Sequence, residues 1–103
     1  MDDDAQVVSY YRLEMVAQMT GLTPARVRRL EQAGLVQPAR VAGGARLYSD
    51  REVARLRRIR RLTQDLGINL AGVAVILRLT EELAELRLAE RQRQGQRRAA
   101  QAK

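Results

Sequence analysis

The sequence predicts a mainly α protein: a winged helix-turn-helix with a small two-stranded wing, followed by helices ending in a short dimerisation coiled coil. Three observations support this prediction. Residues 16–48 contain two short helical patterns joined at a glycine and followed by extended pieces around a glycine pair. Residues 53–66 repeat apolar side chains at helical spacing. From residue 76 to 86 the apolar spacing is that of a coiled-coil seam.

Composition limits the class of protein. The 103 residues predict one domain at most, and a composition that is 46% hydrophobic but only 3% aromatic predicts an aliphatic core. The sequence has no cysteine and no histidine, which excludes disulfides, thiolate chemistry, zinc fingers and imidazole catalysis. We therefore expect no metal site and no cofactor.

The charge of the chain predicts a polyanionic partner. The net charge is +7 and the isoelectric point is about 11.2, but charge alone leaves nucleic acid, an anionic membrane and an acidic protein open. Residues 1–4 are acidic and lack a signal-peptide pattern, and no apolar run approaches the roughly 18 residues that span a bilayer. We expect a soluble intracellular protein without a membrane partner.

The first two helices form the predicted helix-turn-helix. The first covers residues 13–19 and ends at Gly21. The second begins at Thr23 and Pro24, because Thr23 can accept hydrogen bonds from free N–H groups and proline fits the first helical position. Gly34 is predicted to end it in a left-handed conformation.

Arginines cluster at the beginning of the second helix. Arg26, Arg28 and Arg29 lie within its first two turns. A capped helix with arginines near its N-terminus, supported by a second helix, is the arrangement that reads a DNA major groove. The sequence therefore predicts double-stranded DNA as the partner, and it leaves open whether Arg26 and Arg29 contact bases or phosphates.

The predicted wing follows the second helix. Extended pieces at 35–36 and 47–48 are joined through Pro38, which favours an edge position, and through Gly43 and Gly44, which favour a turn. A glycine pair also occurs in phosphate-cradling loops, but the lysine and Ser/Thr of such loops are missing here. The wing tip is therefore the prediction.

A third helix begins at a capping box formed by Ser49 and Glu52. Its apolar face is predicted to contain Val53, Leu56, Ile59, Thr63 and Leu66. Its opposite face contains Arg51, Arg55, Arg58 and Arg61. This basic face is either a DNA-backbone surface or an ordinary solvated face, and spacing alone leaves both open. Gly67 ends the helix, and Asn69 is predicted to cap a last one.

The last helix carries the predicted dimerisation residues, Ile76, Leu79, Leu83 and Leu86. This seam is too short for an isolated coiled coil, so it requires a dimer that also buries the preceding helix. Glutamates on the same helix have arginines nearby and predict exposed ion pairs. No nucleophile, base or metal cluster accompanies them, so we expect no enzymatic activity.

The predicted domain organisation has four parts. They are a flexible acidic N-terminus over 1–9, a DNA-binding domain over 10–78, a short dimerisation helix over 79–88 whose seam begins at 76, and a basic disordered tail over 89–103. The tail is rich in Arg, Gln and Ala and is predicted to be disordered or marginally helical. Solubilisation, non-specific DNA binding and docking of a protein partner all remain open for it.

Several of these motifs occur together in one family. They are Val16-Ala17, Gly21-Leu22, Thr23-Pro24 with Arg28 and Glu31, Gly34-Leu35-Val36 with Pro38, and Gly43-Gly44 with Arg46 and Tyr48. In this combination the chain resembles the MerR-type winged helix-turn-helix regulators over residues 10–86. The run Gln64-Asp65-Leu66-Gly67-Ile68-Asn69-Leu70-Ala71-Gly72-Val73 is similar to the HspR branch, the heat-shock repressors.

The resemblance implies roles for individual residues. The arginine at the position of Arg28 contacts DNA from the recognition helix, and that of Arg46 reaches phosphate from the wing. The residue matching Tyr48 anchors the wing and can approach the DNA backbone. Further backbone contacts come from the next helix, where Arg51 and Arg55 are the candidates. The family commonly has an aromatic residue where this chain has Leu30, so that aromatic contact is missing.

The resemblance also implies a repressor of heat-shock or chaperone genes in the bacterial cytoplasm, associated with the nucleoid, with the chaperone DnaK as co-repressor. The apolar seam predicts a homodimer, and a two-fold dimer requires an inverted-repeat operator. Two alternatives remain: an excisionase-like architectural protein that bends DNA, and a chaperone-binding adaptor. Eleven arginines between Arg26 and Arg61 argue against the adaptor, because a protein-docking surface seldom needs so much positive charge.

Overall fold

The computed structural model describes residues 8–102. The elements in chain order are β1 (Tyr10–Arg12), α1 (Leu13–Thr20), α2 (Pro24–Gln32), β2 (Arg40–Ala42), β3 (Ala45–Ser49), α3 (Asp50–Arg60), a π-helical turn (Arg61–Asp65) and α4 (Leu70–Gln101). The chain divides into two compact units, the first ending at Ile68 and the second beginning at Asn69. The first unit holds the sheet, three helices and the π-turn, and the second is α4.

Helices α1 and α2 begin and end at the residues that the sequence predicts. Gly21 has a φ of 76° and donates its N–H to the carbonyl of Ala17, which closes α1. The Thr23 hydroxyl accepts the backbone N–H of Arg26 at 3.1 Å, which satisfies one of the free donors at the start of α2. These caps fix the turn between the two helices.

Helix α2 ends as predicted, but the segment after it differs from the prediction. Gly34 has a φ of 79°, and the Leu35 N–H donates to the carbonyl of Leu30, as expected for a left-handed helix end. Leu35 and Val36, predicted as a wing strand, are buried in the connection after α2 and belong to no strand. Their apolar character reflects burial in the core, while the strand begins further along at Arg40.

The wing is part of a three-stranded antiparallel sheet in the order β1-β3-β2. Gly43 and Gly44 have φ values of 56° and 79° and form the turn between β2 and β3, as predicted. Strand β1 pairs Tyr11 with Tyr48, and the sequence analysis did not anticipate it. Three residues are too short to display strand alternation, and the pairing joins distant parts of the chain.

The core of the first unit is aliphatic apart from Tyr48. Its buried hydrophobic residues are Val16, Ala17, Leu22, Val27, Leu30, Leu35, Val36, Tyr48, Val53, Leu56 and Ile59. Burial of one such Val, Leu or Ile side chain contributes about 1.5–3 kcal/mol. Leu30 is 0% exposed and fills part of this core.

Helix α3 begins at the predicted capping box: Glu52 accepts the Ser49 N–H at 2.8 Å and the Ser49 hydroxyl at 2.6 Å. Ile59 is buried as predicted, but Leu66 is 58% exposed, so its assignment to the same apolar face is wrong. The π-turn from Arg61–Asp65 explains the difference, because each π turn holds an additional residue and shifts the following side chains around the axis.

Helix α4 has 32 residues and begins at the predicted cap, where the Asn69 Oδ1 accepts the Gly72 N–H at 2.8 Å. It continues to Gln101, through the segment for which the sequence predicts a disordered tail. Arginine, glutamine and alanine are good helix formers, and an ion pair between Glu90 and Arg93 adds local support. No helix within residues 8–102 is long and apolar enough to cross a membrane.

The predicted flexible N-terminus falls mostly on residues 1–7, which lie outside the described residues. The structure therefore describes the predicted DNA-binding domain from residue 10 onward, including all residues predicted to contact DNA.

Candidate nucleic-acid interface

The predicted DNA-contacting residues of α2 differ in their exposure. Arg28 and Arg29 are exposed, while Arg26 is partly buried. Thr23 is exposed at the cap position, where its hydroxyl accepts the Arg26 N–H. Arg28 and Arg29 therefore present charge at the surface of a helix whose beginning is fixed by its cap.

One carboxylate connects α2 to the wing. Glu31, near the end of α2, has a side chain that is only 13% exposed. Its Oε1 accepts the Tyr48 hydroxyl at 2.7 Å, and its Oε2 pairs with the Arg46 Nε at 2.7 Å. The Arg46 side chain remains 51% exposed, so Arg46 is held by Glu31 while much of its surface faces solvent. A charged acceptor with two donors makes strong hydrogen bonds.

Tyr48 is an internal anchor in this structure. Its side chain is 0% exposed, and its hydroxyl donates to Glu31. Burial, followed by the hydrogen bond to Glu31, raises the pKa of Tyr48 well above its usual range. Tyr48 therefore holds the wing to α2 through Glu31, and its approach to the DNA backbone stays a prediction.

The two candidates on α3 are placed differently. Arg51 is exposed in the first turn of the helix. Arg55 is partly buried, and its Nε donates to the carbonyl of Leu35 at 2.6 Å, which ties α3 to the connection after α2. Arg57 makes a similar bond from its Nε to the carbonyl of Met19 at 3.1 Å. Part of the basic face of α3 therefore has a structural role that the sequence analysis did not separate from DNA contact.

A cleft of about 250 Å³ opens between the start of α1, helix α2 and the wing tip. It is lined by Arg12, Leu13, Glu14, Arg28, Gly44, Ala45 and Arg46. Its three arginines come from three different elements, β1, α2 and β3. We call this feature the arginine cleft. It brings two of the predicted DNA-contacting residues, Arg28 and Arg46, into one lining.

The predicted dimerisation residues lie on α4, in the second unit. Leu79, Leu83 and Leu86 are 52%, 45% and 67% exposed, and Ile76 is partly exposed. A row of exposed leucines on a single helix is costly in water.

Among the described residues no group of acidic side chains is arranged to hold a metal ion.

Sequence comparison identifies the family to which this architecture belongs. Residues 11–80 match the model of the MerR HTH family of regulatory proteins. The chain belongs to the MerR family. The matched region covers the sheet, the three helices of the first unit, the π-turn and the beginning of α4.

Individual relatives agree with this assignment. The chain is 45% identical over 76 residues to the protein named as heat shock protein HspR in Streptomyces coelicolor, across 74% of this chain and 50% of that protein. It is 32% identical over 85 residues to the transcriptional regulator GlnR of Bacillus cereus, and 34% identical over 82 residues to the transcriptional repressor CarH of Myxococcus xanthus. These matches cover 82% and 79% of this chain, and 65% and 27% of the relatives. The chain thus spans about half the length of HspR.

Two residues of this MerR-family site were missed as functional candidates. Glu31 was recognised only as part of the motif, although it holds both Arg46 and Tyr48. Arg12 was not considered, although it lines the arginine cleft with Arg28 and Arg46. Recognising β1 would have drawn attention to Arg12, because the pairing of Arg12 with Leu47 brings it beside the wing.

Proposed function

We propose that this MerR-family chain is a sequence-specific regulator of transcription that binds double-stranded DNA as a homodimer. It represses heat-shock or chaperone genes in the bacterial cytoplasm, at an operator built as an inverted repeat. The observation that carries the proposal is the joint placement of exposed Arg28 on α2 and of Arg46 on the wing, held at one cleft. Such a helix enters the major groove while the wing follows the backbone.

Charge supports DNA as the partner. The basic residues of the first unit are arginines, whose planar guanidinium groups bind phosphate and guanine in a bidentate manner. Phosphate contacts supply most of the affinity of such a protein and make it steeply dependent on salt. Base contacts from the first half of α2 then select the site. A chaperone-binding adaptor would bind random duplex DNA without this salt dependence.

The exposed leucines of α4 support the homodimer. A two-fold dimer presents two recognition helices to one duplex, so its operator must be an inverted repeat with half-sites separated by whole helical turns. The similarity to HspR supports heat-shock genes as the targets. By the same similarity, the chaperone DnaK is the proposed co-repressor.

Selection of bound duplexes from a random pool tests the proposal directly. We expect enrichment of an inverted repeat, with affinity that falls steeply as salt increases. Enrichment of bent or flexible duplexes without a shared half-site would instead indicate an excisionase-like architectural protein. Absence of binding to every duplex would contradict DNA binding altogether.

The first prediction concerns Arg28. Arg28→Ala should lower affinity for the selected duplex by about 1–3 kcal/mol because it removes a bidentate base contact. Arg28→Lys keeps the charge but not the planar fork, so it should retain binding to random duplex while losing discrimination between sites. Fluorescence anisotropy against selected and random duplexes measures both effects.

Gln32→Ala is the control for this prediction, since Gln32 is exposed at the far end of the same helix. It should bind as the wild type does. Equal affinity of Arg28→Ala and the wild type for the selected duplex would contradict the assignment of α2 as the recognition helix.

A further inference from the structure

Arginines line more than one cleft of the first unit, and the clefts differ in how the arginines come together. Along α3 and the π-turn, a cleft is lined by Arg57, Arg58, Arg61 and Leu62, all from one continuous stretch of helix. Such an arrangement arises on any solvated basic helix face. The arginine cleft draws its three arginines from β1, α2 and β3, so tertiary folding and not helical spacing assembles it.

Positive charge in the arginine cleft is only partly balanced. Glu14 contributes one carboxylate to the lining, and Glu31 pairs with Arg46. Within residues 8–102, the side chains of Arg12 and Arg28 have no hydrogen bond or ion pair. Positive charges that share a cleft repel each other, and an anion bound between them lowers this electrostatic energy. The cleft therefore favours an anionic ligand despite the opposing charge of Glu14.

The size of the cleft suits a phosphate group. A water molecule occupies about 30 Å³ in the liquid. The volume of about 250 Å³ therefore holds a phosphate group together with several waters. Gly44 at the wing tip adds little bulk at the mouth of the cleft. A phosphate that remains part of a long duplex can enter, because the cleft lies at the surface between α2 and the wing.

We propose that the arginine cleft binds one backbone phosphate of each DNA half-site, and that Arg12 is a phosphate ligand alongside Arg46. This inference rests on the proposed function and adds to it a contact from β1. Arg28 keeps its role at the base edges, next to the phosphate that Arg12 and Arg46 hold. Arg12 lies opposite Leu47 in the strand register, so the pairing of β1 with β3 sets its distance from Arg46.

Arg40 provides a matched control for Arg12. Both arginines pair with Leu47, one from β1 and the other from β2, so they occupy the same row of the sheet. Both are exposed, but Arg40 lies over the Tyr10 ring at 5.6 Å and does not line the arginine cleft. Replacing either with glutamine removes the same charge from the same sheet.

The experiment uses the full chain and a set of selected duplexes in which one phosphate at a time is replaced by a neutral methylphosphonate. One position in each half-site should weaken binding by the wild type and by R40Q to the same extent, but should weaken binding by R12Q less, because only Arg46 then still holds that phosphate. On the unmodified duplex, R12Q should reduce the slope of log affinity against log salt by about 0.9 for each half-site, and so by about 1.8 for the dimer bound to both half-sites. R12K retains the charge and should restore that slope.

Additive losses for R12Q and the neutral phosphate at every position would overturn the assignment of Arg12. That same outcome is expected if a free phosphate-bearing small molecule is the ligand. A wild-type chain that binds no duplex overturns the proposed function itself, which is a different result. Circular dichroism of each variant identifies a loss of folding. If R12Q does not fold, R12M replaces it, since methionine keeps an unbranched apolar stem without the charge. A folded R12M whose loss is additive with that of the neutral phosphate at every position also overturns the proposal.

Discussion

At the scale of single residues, Glu31 is the junction on which the interface depends. It lies on α2, and its two oxygens hold two side chains of β3, Arg46 and Tyr48. Helix α2 and the wing are therefore connected by polar bonds. Because Glu31 is mostly buried, loss of either donor leaves a charged acceptor poorly satisfied, which costs more than an exposed hydrogen bond does.

Tyr48 allows a test of this junction through pH. Its pKa is raised in the folded state, so its contribution to stability is fully present below the ordinary tyrosine pKa of about 10 and is lost as the pH rises toward the folded value. Tyr48→Phe should cost about 1–3 kcal/mol of the free energy of unfolding at neutral pH. The variant should also show a shallower loss of stability than the wild type above pH about 10.

Urea denaturation at a series of pH values measures both effects. Tyr10→Phe is the control, because Tyr10 is 42% exposed and makes no hydrogen bond to Glu31 or to any other carboxylate within residues 8–102. It should follow the wild type at neutral pH. A Tyr48→Phe variant with wild-type stability throughout would contradict the role of Tyr48 as an anchor.

At the scale of elements, the π-turn after α3 changes which side chains are buried. Up to Ile59 the apolar face follows ordinary helical spacing, and Ile59 is 1% exposed. The π-turn then rotates the chain, and Leu66 emerges at 58% exposure. An aliphatic side chain is therefore buried at residue 59 and exposed at residue 66, because the backbone changes to a π-turn between them.

This difference predicts unequal costs for two similar substitutions. Ile59→Ala should lower the free energy of unfolding by about 2–5 kcal/mol, because it leaves a cavity in the core. Leu66→Ala should change it by no more than about 0.5 kcal/mol, as is usual for surface positions. Chemical denaturation at one fixed protein concentration compares them. If Leu66→Ala proved as costly as Ile59→Ala, the π-turn would not persist in solution.

How far the sequence allows prediction depends on the range of each interaction. The caps at Thr23, Ser49 and Asn69 were predicted correctly, because each involves residues three positions apart. The bond from Tyr48 to Glu31 spans 17 positions, and no local pattern indicates it. Strand β1 and the arginine cleft depend on such distant pairings in the same way.

Residue types were easier to predict than residue roles. The exposed arginines of α2 were identified as candidates from helical position and charge, and the structure leaves them available at the surface. On α3 the same reasoning could not separate Arg51 from Arg55, because the acceptor of Arg55 is a backbone carbonyl in another part of the chain. A list of basic residues therefore overstates the number that face a ligand.

At the scale of the whole molecule, the proposed homodimer can be tested at the exposed leucines of α4. Replacing Leu83 and Leu86 with Asp should yield monomers, since burying carboxylates in an apolar helix seam is unfavourable. Sedimentation equilibrium distinguishes monomers from dimers. The monomer should also lose affinity for an inverted repeat far more than for random duplex, because two linked half-sites bind more tightly than one.

Leu88→Asp serves as the control, because Leu88 is 54% exposed on the same helix but falls outside the spacing of the seam. This variant should remain dimeric. Dimers that persist after both seam residues are changed would show that another surface joins the subunits.

The position of β3 as the middle strand has a consequence for the form of nucleic-acid duplex that this protein binds. Hydrogen bonds on both sides hold β3 in register, and its Arg46 is also fixed to α2 through Glu31. Under the proposed function, the distance between the base-reading Arg28 and the phosphate-binding Arg46 is therefore fixed, and it fits only a groove of matching width. RNA and RNA–DNA hybrids have a narrow, deep major groove and offer a different separation. We therefore expect the protein to bind RNA and RNA–DNA hybrids more weakly than DNA, even where their sequence matches the operator.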